Sequence, residues 1–302
     1  MNPLGTLAPG KVNLCLFLGG CRSDGRHELV TLFQPVSLAD EVFLWVDGRE
    51  DSVVCPGVDG ENLAARALAE LRERGWDGPP VQIEIVKRIP VAAGMAGGSA
   101  DAGATLRLAA ALGSIEAGVL EEVARVLGAD VPSQLAPGPA LGTGAGEVVV
   151  SVPERAPHAF VILPSSSQLS TAAVFTEADR LGLARSSGEL ADWRHALEAA
   201  VYAGPDLPAE LLVNDLEPAA LSLCPSIEGA LDCARSVGAD AALVCGSGPT
   251  VAGVFWGAEA LIRARSAALA AVERFPGATA AVPVDARFAS VRTVDRRLRP
   301  AQ

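Results

Sequence analysis

Apolar positions along the chain recur with two periods. Between 11 and 18, Val12, Leu14, Leu16 and Leu18 alternate with Lys11, Asn13, Cys15 and Phe17, which predicts a strand carrying Lys11 and Asn13 on the same side. Residues 32–46 continue in this way through Val42, Leu44 and Val46. From 81 to 86, Val81, Ile83 and Ile85 stand against Gln82, Glu84 and Val86. A period near 3.6 governs 62–74. There Asn62 can cap a helix, Ala64, Leu68 and Leu71 form one face, and Gly75 ends the run. Residues 101–112, rich in Ala and Leu, and 114–127, stopped by Gly128, predict two more helices. A turn-rich segment from 137 leads to a strand over 147–152.

Pro153 to Pro157 reads as a linker, dividing the chain into domains 1–153 and 154–302. Beyond it the pattern predicts a strand at 158–163 and helices at 171–181, 190–202 and 226–237. Strands at 241–245 and 251–256 flank a glycine turn. A helix at 259–274 and a strand at 279–284 follow, and the charged tail 291–302 is expected to fray.

Four segments combine ordinary structural residues with a chemical alternative. Residues 90–99, holding Gly94, Gly97 and Gly98, join a strand to a helix. Such a loop is either a tight connection needing small residues or a phosphate cradle, since glycine lets backbone N–H groups close on an anion and the helix N-terminus favours it. It is neither GxxxxGK[ST], because Gly98 precedes Ser99, nor GxGxxG. Gly246-Ser247-Gly248-Pro249-Thr250 is a hairpin turn or a second set of backbone donors. Asp130, before Pro132, is a helix cap or a base. His27, after the Asp24-Gly25 turn, is a structural loop residue or a ligand-reading one.

Composition narrows these options. The 302 residues are half apolar and carry a formal charge of −12, which argues against nucleic-acid binding while allowing a local anion site. Lys11 and Lys87 are the only lysines. Six cysteines without a CxxC and three scattered histidines give no metal pattern and predict free thiols. No long apolar run and no basic-apolar leader occur, so a cytoplasmic location without membrane contact is expected.

Three segments, APGKVNL at 8–14, PVAAGMAGGSADA at 90–102 and GSGPT at 246–250, together resemble the three motifs of the GHMP small-molecule kinases, the family of galactokinase, homoserine kinase and mevalonate kinase. DGRHEL at 24–29, GADVP at 128–132, GTGAGE at 142–147 and VND at 213–215 resemble the branch acting on a cytidine-diphosphate-linked polyol. The resemblance implies an α+β fold of two domains. The first would be like domain 2 of ribosomal protein S5, the second ferredoxin-like, with ATP and substrate meeting between them. It implies ATP and Mg²⁺ as cofactors, and a monomer or weak homodimer.

Carried onto matching positions, the resemblance makes Asp130 the base that takes the substrate hydroxyl's proton and Lys11 the cation that stabilises charge as the nucleophile forms. Pro90, Val91, Ala92, Ala93, Gly94, Met95, Ala96, Gly97, Gly98, Ser99 and Ala100 form the ATP phosphate loop, and Asn62 lies near the adenine. Asn13 lies at the substrate, His27 and Phe175 at the cytosine, and Gly246, Ser247 and Gly248 beside the phosphates. Three departures stand out. Arg26 occupies a position that is tyrosine in many members, where it would stack as a planar cation. Ala100 replaces a second serine. Ala92 and Ala93 replace glycines, which stiffens the loop without removing a donor. The alternatives are another GHMP acceptor alcohol and a non-catalytic nucleotide-binding relative.

Overall fold

The computed structural model describes residues 2–46, 49–58 and 60–295, so the end of the expected tail, 296–302, lies outside the described residues. The first sheet contains β1 (Leu4–Cys21), β2 (His27–Trp45), β3 (Ser52–Val54), β4 (Gln82–Val86), β5 (Ala140–Thr143) and β6 (Val148–Ser151). The second contains β7 (His158–Leu163), β8 (Ala241–Val244), β9 (Val251–Trp256) and β10 (Thr279–Ala281) in the antiparallel order β10-β7-β9-β8. The final strand, β11 (Arg292–Thr293), returns to pair with β1, so the first sheet runs β11-β1-β2-β4-β3 with β5 and β6 branching from β2. Among its described strands only β3 and β4 pair in parallel.

Helices α1 (Leu63–Glu73), α2 (Gly97–Leu112) and α3 (Ala117–Leu127) cover one face of the first sheet, sharing a core with Leu44, Ile83 and Ile85. Helices α4 (Thr171–Leu181), α6 (Glu217–Leu223), α7 (Ser226–Ser236) and α8 (Ala260–Ala271) pack on the second sheet around Val161, Val251 and Phe255. Helix α5 (Ser187–Ala203) contributes Leu190, Leu197 and Val201 to a third cluster that joins the sheets, with Val12 and Phe17 on one side and Phe160 and Ile162 on the other.

That third cluster explains why β1 is buried on both faces from Gly5 nearly to its end. The simple alternation expected for 11–18 does not survive it. Bulges between Pro9 and Lys11 and between Asn13 and Cys15 shift the phase. As a result Leu16 and Leu18 join the second-sheet core while Val12, Leu14, Cys15 and Phe17 share the intersheet cluster. Lys11 is buried. Other corrections are local. The helix expected from 101 starts at Gly97, and the one expected from 114 starts at Ala117. Pro132–Gln134 form a single 3₁₀ turn capped by Val131, so Asp130 does not cap it. The strands β3 and β5 and helix α6 were not expected from the pattern.

Candidate active site

Lys11 leaves β1 into a cleft of about 570 Å³ between the two sheets' loops. Its ammonium donates to Asn13 Oδ1 at 2.7 Å. Asn13 Nδ2 donates to Thr31 Oγ1 at 2.7 Å, and that hydroxyl donates to the Cys15 carbonyl at 2.6 Å. Each donor in this series is held by the next acceptor, so the side-chain amide of Asn13 and the ammonium have one orientation. Asp130 Oδ2 stands 3.8 Å from Lys11 Nζ; the lysine side chain is 6% exposed and the aspartate 34%. A fixed, buried cation thus faces a carboxylate open to an incoming group. Behind Asp130, Ser133 donates to its backbone carbonyl, and the half-buried Arg107 donates to the carbonyls of Gln134 and Leu7.

The phosphate loop reaches the same point from β4 and α2. Its chain passes through left-handed conformations at Ala92, Gly94 and Ala96. Ala96 precedes α2 without any side-chain cap, which leaves the first-turn N–H groups facing the cleft end lined by Gly97, Gly98 and Ser99. Gly94 sits at φ +75° against the other glycine turn; a Cβ there would meet Cys245 O at 1.9 Å and Gly248 N at 2.8 Å. Gly246 in turn lies against Lys11, since its Cβ would be 3.3 Å from Nζ and 2.8 Å from Gly94 O. The Lys11 N–H donates to Met95 O at 3.1 Å. The three motifs, far apart in sequence, therefore touch one another directly.

Both ends of the phosphate loop are anchored by a cluster that sequence reasoning missed. Asp40 Oδ1 accepts from the backbone N–H groups of Arg88 and Ile89 at 2.5 and 2.8 Å. Lys87 donates to Asp40 Oδ2 at 2.5 Å and to Asp101 Oδ2 at 2.7 Å. Burial raises the Asp101 carboxyl to about 7; Lys87 opposes this and Asp40 adds to it. Burial pulls the Lys87 ammonium down, but the two aspartates outweigh it and the net direction is up. The rarity of lysine was the available signal, since Lys87 is one of two.

At the other end of the cleft, Phe175 on α4 stacks on His27 with ring centroids 5.1 Å apart. One helical turn on, Asp179 Oδ1 lies 2.7 Å from His27 Nε2. Thr171, at the start of α4, shares a hydrogen bond of 3.1 Å with Ser247.

Of the residues expected at the site, Lys11, Asn13, Asn62, Asp130, Phe175, Gly246, Ser247 and most of 90–99 line the cleft. Asn62 also caps α1, accepting from Ala64 N at 2.8 Å. Met95 and Ala100 are buried beneath the loop, and Gly248 supports the turn from behind. His27 is buried against Phe175 and does not line the cleft. Arg26 projects outward and forks onto Asp24 Oδ2 at 3.1 and 3.2 Å. Cys245, beside the glycine turn, is a buried thiol pushed up to about 12, which makes it a packing residue and not a nucleophile. All six cysteines are free, and no described helix is long and apolar enough to cross a membrane.

The family descriptions "GHMP kinases N terminal domain" and "GHMP kinases C terminal" match residues 62–138 and 194–274. A 4-diphosphocytidyl-2-C-methyl-D-erythritol kinase from Mycolicibacterium gilvum is 45% identical over 258 residues, 81% of this chain and 79% of that protein. One of the same name from Kineococcus radiotolerans is 42% identical with the same coverage. A solved 4-(cytidine 5'-diphospho)-2C-methyl-D-erythritol kinase superposes with a TM-score of 0.73 at 30% identity, covering 93% of this chain and 99% of that one. Homoserine kinase from Cytophaga hutchinsonii shares the fold, with a TM-score of 0.67 at 18% identity over 97% and 98% of the two chains.

Proposed function

The chain belongs to the GHMP kinases, and on that premise we propose that it transfers the γ-phosphoryl group of ATP to the 2-hydroxyl of 4-diphosphocytidyl-2-C-methyl-D-erythritol. The observation that carries the assignment of roles is the meeting of Lys11 and Asp130 with both glycine turns on one cleft wall. Phosphoryl transfer asks mainly for positioning and charge neutralisation, and these elements supply both.

In this reading the acceptor hydroxyl enters beside Asp130, the one carboxylate among the described residues paired with Lys11. The hydroxyl oxygen bonds to the γ-phosphorus as its proton passes to the Asp130 carboxylate; the bond from phosphorus to the bridging oxygen breaks and ADP leaves. A tertiary alcohol is a poor nucleophile, so a base within reach lowers the barrier. Lys11, held by Asn13, stabilises charge on the reacting oxygens without having to reorganise. The first turn of α2 and the glycine loop present backbone N–H groups to the phosphates. Phe175 offers a ring face to the cytosine, and His27 sits behind it in an orientation set by Asp179.

Mg²⁺ accompanies ATP in this proposal. Among the described residues no group of three or more acids, histidines or cysteines gathers, which suits an ion held largely by nucleotide phosphates and water. Ser99 and Asp101 line the cleft, and Asp101 Oδ1 has no hydrogen-bond partner; these two residues would hold it. The ion would offset phosphate charge. A cytoplasmic location suits an enzyme of two water-borne nucleotides.

The test is ADP release from the purified protein with Mg-ATP and the cytidylyl substrate, run beside homoserine, mevalonate phosphate and galactose. Turnover confined to the cytidylyl substrate is expected. Turnover only with another alcohol would keep the fold and remove the acceptor assignment; ATP binding with no ADP formed from any of them would leave a nucleotide-binding relative.

A further inference from the structure

The Val213-Asn214-Asp215 segment marks the resemblance at the sequence level, yet nothing in the reaction above uses it. Its geometry is specific. Asn214 is buried, and its side-chain amide nitrogen donates to Val244 O at 2.8 Å and Gly246 O at 2.7 Å, while its Oδ1 accepts from Leu216 N at 3.0 Å. Every hydrogen-bonding atom of the side chain but one lone pair is thereby engaged. The two carbonyls it holds flank Cys245, at the point where β8 ends and the glycine turn begins.

Asp215 makes the complementary attachment to β1. Its Oδ2 accepts from Leu18 N at 2.9 Å, and it forms a two-point pair with Arg185 at 2.6 and 2.7 Å. Backbone bonds add to it: Leu16 N donates to Val213 O at 2.7 Å and Asp215 N to Leu16 O at 2.9 Å. Residues 213–215 thus lie between the strand that carries Lys11 and Asn13 and the turn that carries Gly246 and Ser247.

We propose that Asn214 is a positioning residue for phosphoryl transfer: by holding the Gly246 carbonyl it sets the rotation of the Gly246–Ser247 peptide beside Lys11 and Gly94. A trans peptide places its N–H opposite its C=O. Fixing the Gly246 oxygen on Asn214 therefore aims the Ser247 N–H away from Asn214, to serve as a donor to the phosphoryl group in transit. Gly246 at φ +53° has few steric restraints of its own, so the rotation of this peptide needs an external hold. Asn214 supplies it through a neutral amide, which adds no charge next to Lys11.

The inference rests on the kinase reading, so its test has one readout independent of the acceptor. Asn214→Ala and the milder Asn214→Ser, which keeps one donor, are compared with Asp215→Asn, which loosens the β1 attachment alone. In steady-state assays Asn214→Ala is expected to lower kcat ~10–100-fold with KM for both substrates within about threefold, because the lost interaction matters most in the transition state. Asn214→Ser should fall between it and the parent, and carries the test if Asn214→Ala does not fold cooperatively. Independently of any acceptor, Asn214→Ala should bind Mg-ADP as the parent does and Mg-ADP with aluminium fluoride at least about tenfold more weakly. Asp215→Asn should lower the melting temperature while keeping kcat within about threefold. Equal losses of kcat in the 214 and 215 variants, in step with their melting temperatures, would reduce Asn214 to a structural residue and overturn the proposal. An unchanged preference for the fluoride complex in Asn214→Ala would do the same. A parent protein inactive on the cytidylyl substrate, with the fluoride effect intact, would overturn the acceptor assignment and leave the role of Asn214 standing.

Discussion

On its phosphate side the cleft is bounded by residues 90–99 and 246–248, where most side chains are hydrogens or methyl groups and the chemistry belongs to backbone N–H groups. On its acceptor side it is bounded by Lys11, Asn13, Asp130 and Phe175, where function resides in long or charged side chains drawn from β1, the 128–134 turn and α4. The two sides fail in opposite ways. The phosphate side is damaged by adding atoms, because a Cβ at Gly94 or Gly246 would overlap the facing turn. The acceptor side is damaged by removing them, because Lys11 and Asn13 are fixed by hydrogen bonds, Asp130 is the carboxylate facing that ammonium, and Phe175 presents a ring. A helix N-terminus binds an anion with whatever residues it has, whereas a base must be one particular carboxylate.

The largest effect that would sharpen this contrast is expected from Asp130→Asn, which keeps the shape and removes the proton acceptor. Turnover should fall about 10²–10⁴-fold with the fold intact by circular dichroism and ATP affinity unchanged. Near-parent turnover in that variant would take the base role away from Asp130. Next comes Gly94→Ala, one methyl group added to the phosphate side. At φ +75°, with Cys245 O 1.9 Å from the new carbon, the loop or the facing turn must shift. The left-handed strain alone is of order 1–2 kcal/mol, and kcat/KM for ATP should drop by about 10²-fold. A variant with parent-like kinetics would show that the two glycine turns need not touch. The smallest effects concern the base pocket. Phe175→Ala should raise KM for the cytidylyl substrate by roughly 1–3 kcal/mol of lost stacking, leaving KM for ATP alone. Arg26→Ala, whose guanidinium faces Asp24, should change either KM by less than about twofold. A larger effect of Arg26 than of Phe175 would mean that the arginine swings onto the base when substrate binds.

Much of the local structure is legible in the amino-acid sequence. Helix α4 ran over the expected residues, Asn62 capped α1, and the strands flanking the second glycine turn fell within a residue or so of expectation. Glycine and proline punctuate the backbone through sterics that act within a few residues, so their signals do not depend on the rest of the chain. The start of α2 was missed because Gly97 and Gly98 read as loop; only the free N–H groups facing an anion site make a double glycine a useful first turn. The phase of β1 was missed because bulges answer to the sheet on the far side, not to the strand's own alternation.

Asp130 shows the division best. Its sequence neighbourhood, a carboxylate before Val131-Pro132, describes a helix cap as well as a base, and local physics favours the cap. In the fold Val131 takes the capping position, and Asp130 turns to within 3.8 Å of a lysine 119 positions earlier in the chain. Lys87 and Asp40, 47 residues apart, likewise gain their role only when β2 and β4 pair. Most of the helices and strands and the small-residue loops are legible in the chain alone, because they follow from short-range sterics and periodicity, and the family is legible in its motifs. The tertiary structure decided which charged and aromatic side chains share the cleft and which, like Arg26, turn away from it, because a pairing between distant residues is settled by packing across sheets, and no local window contains both partners.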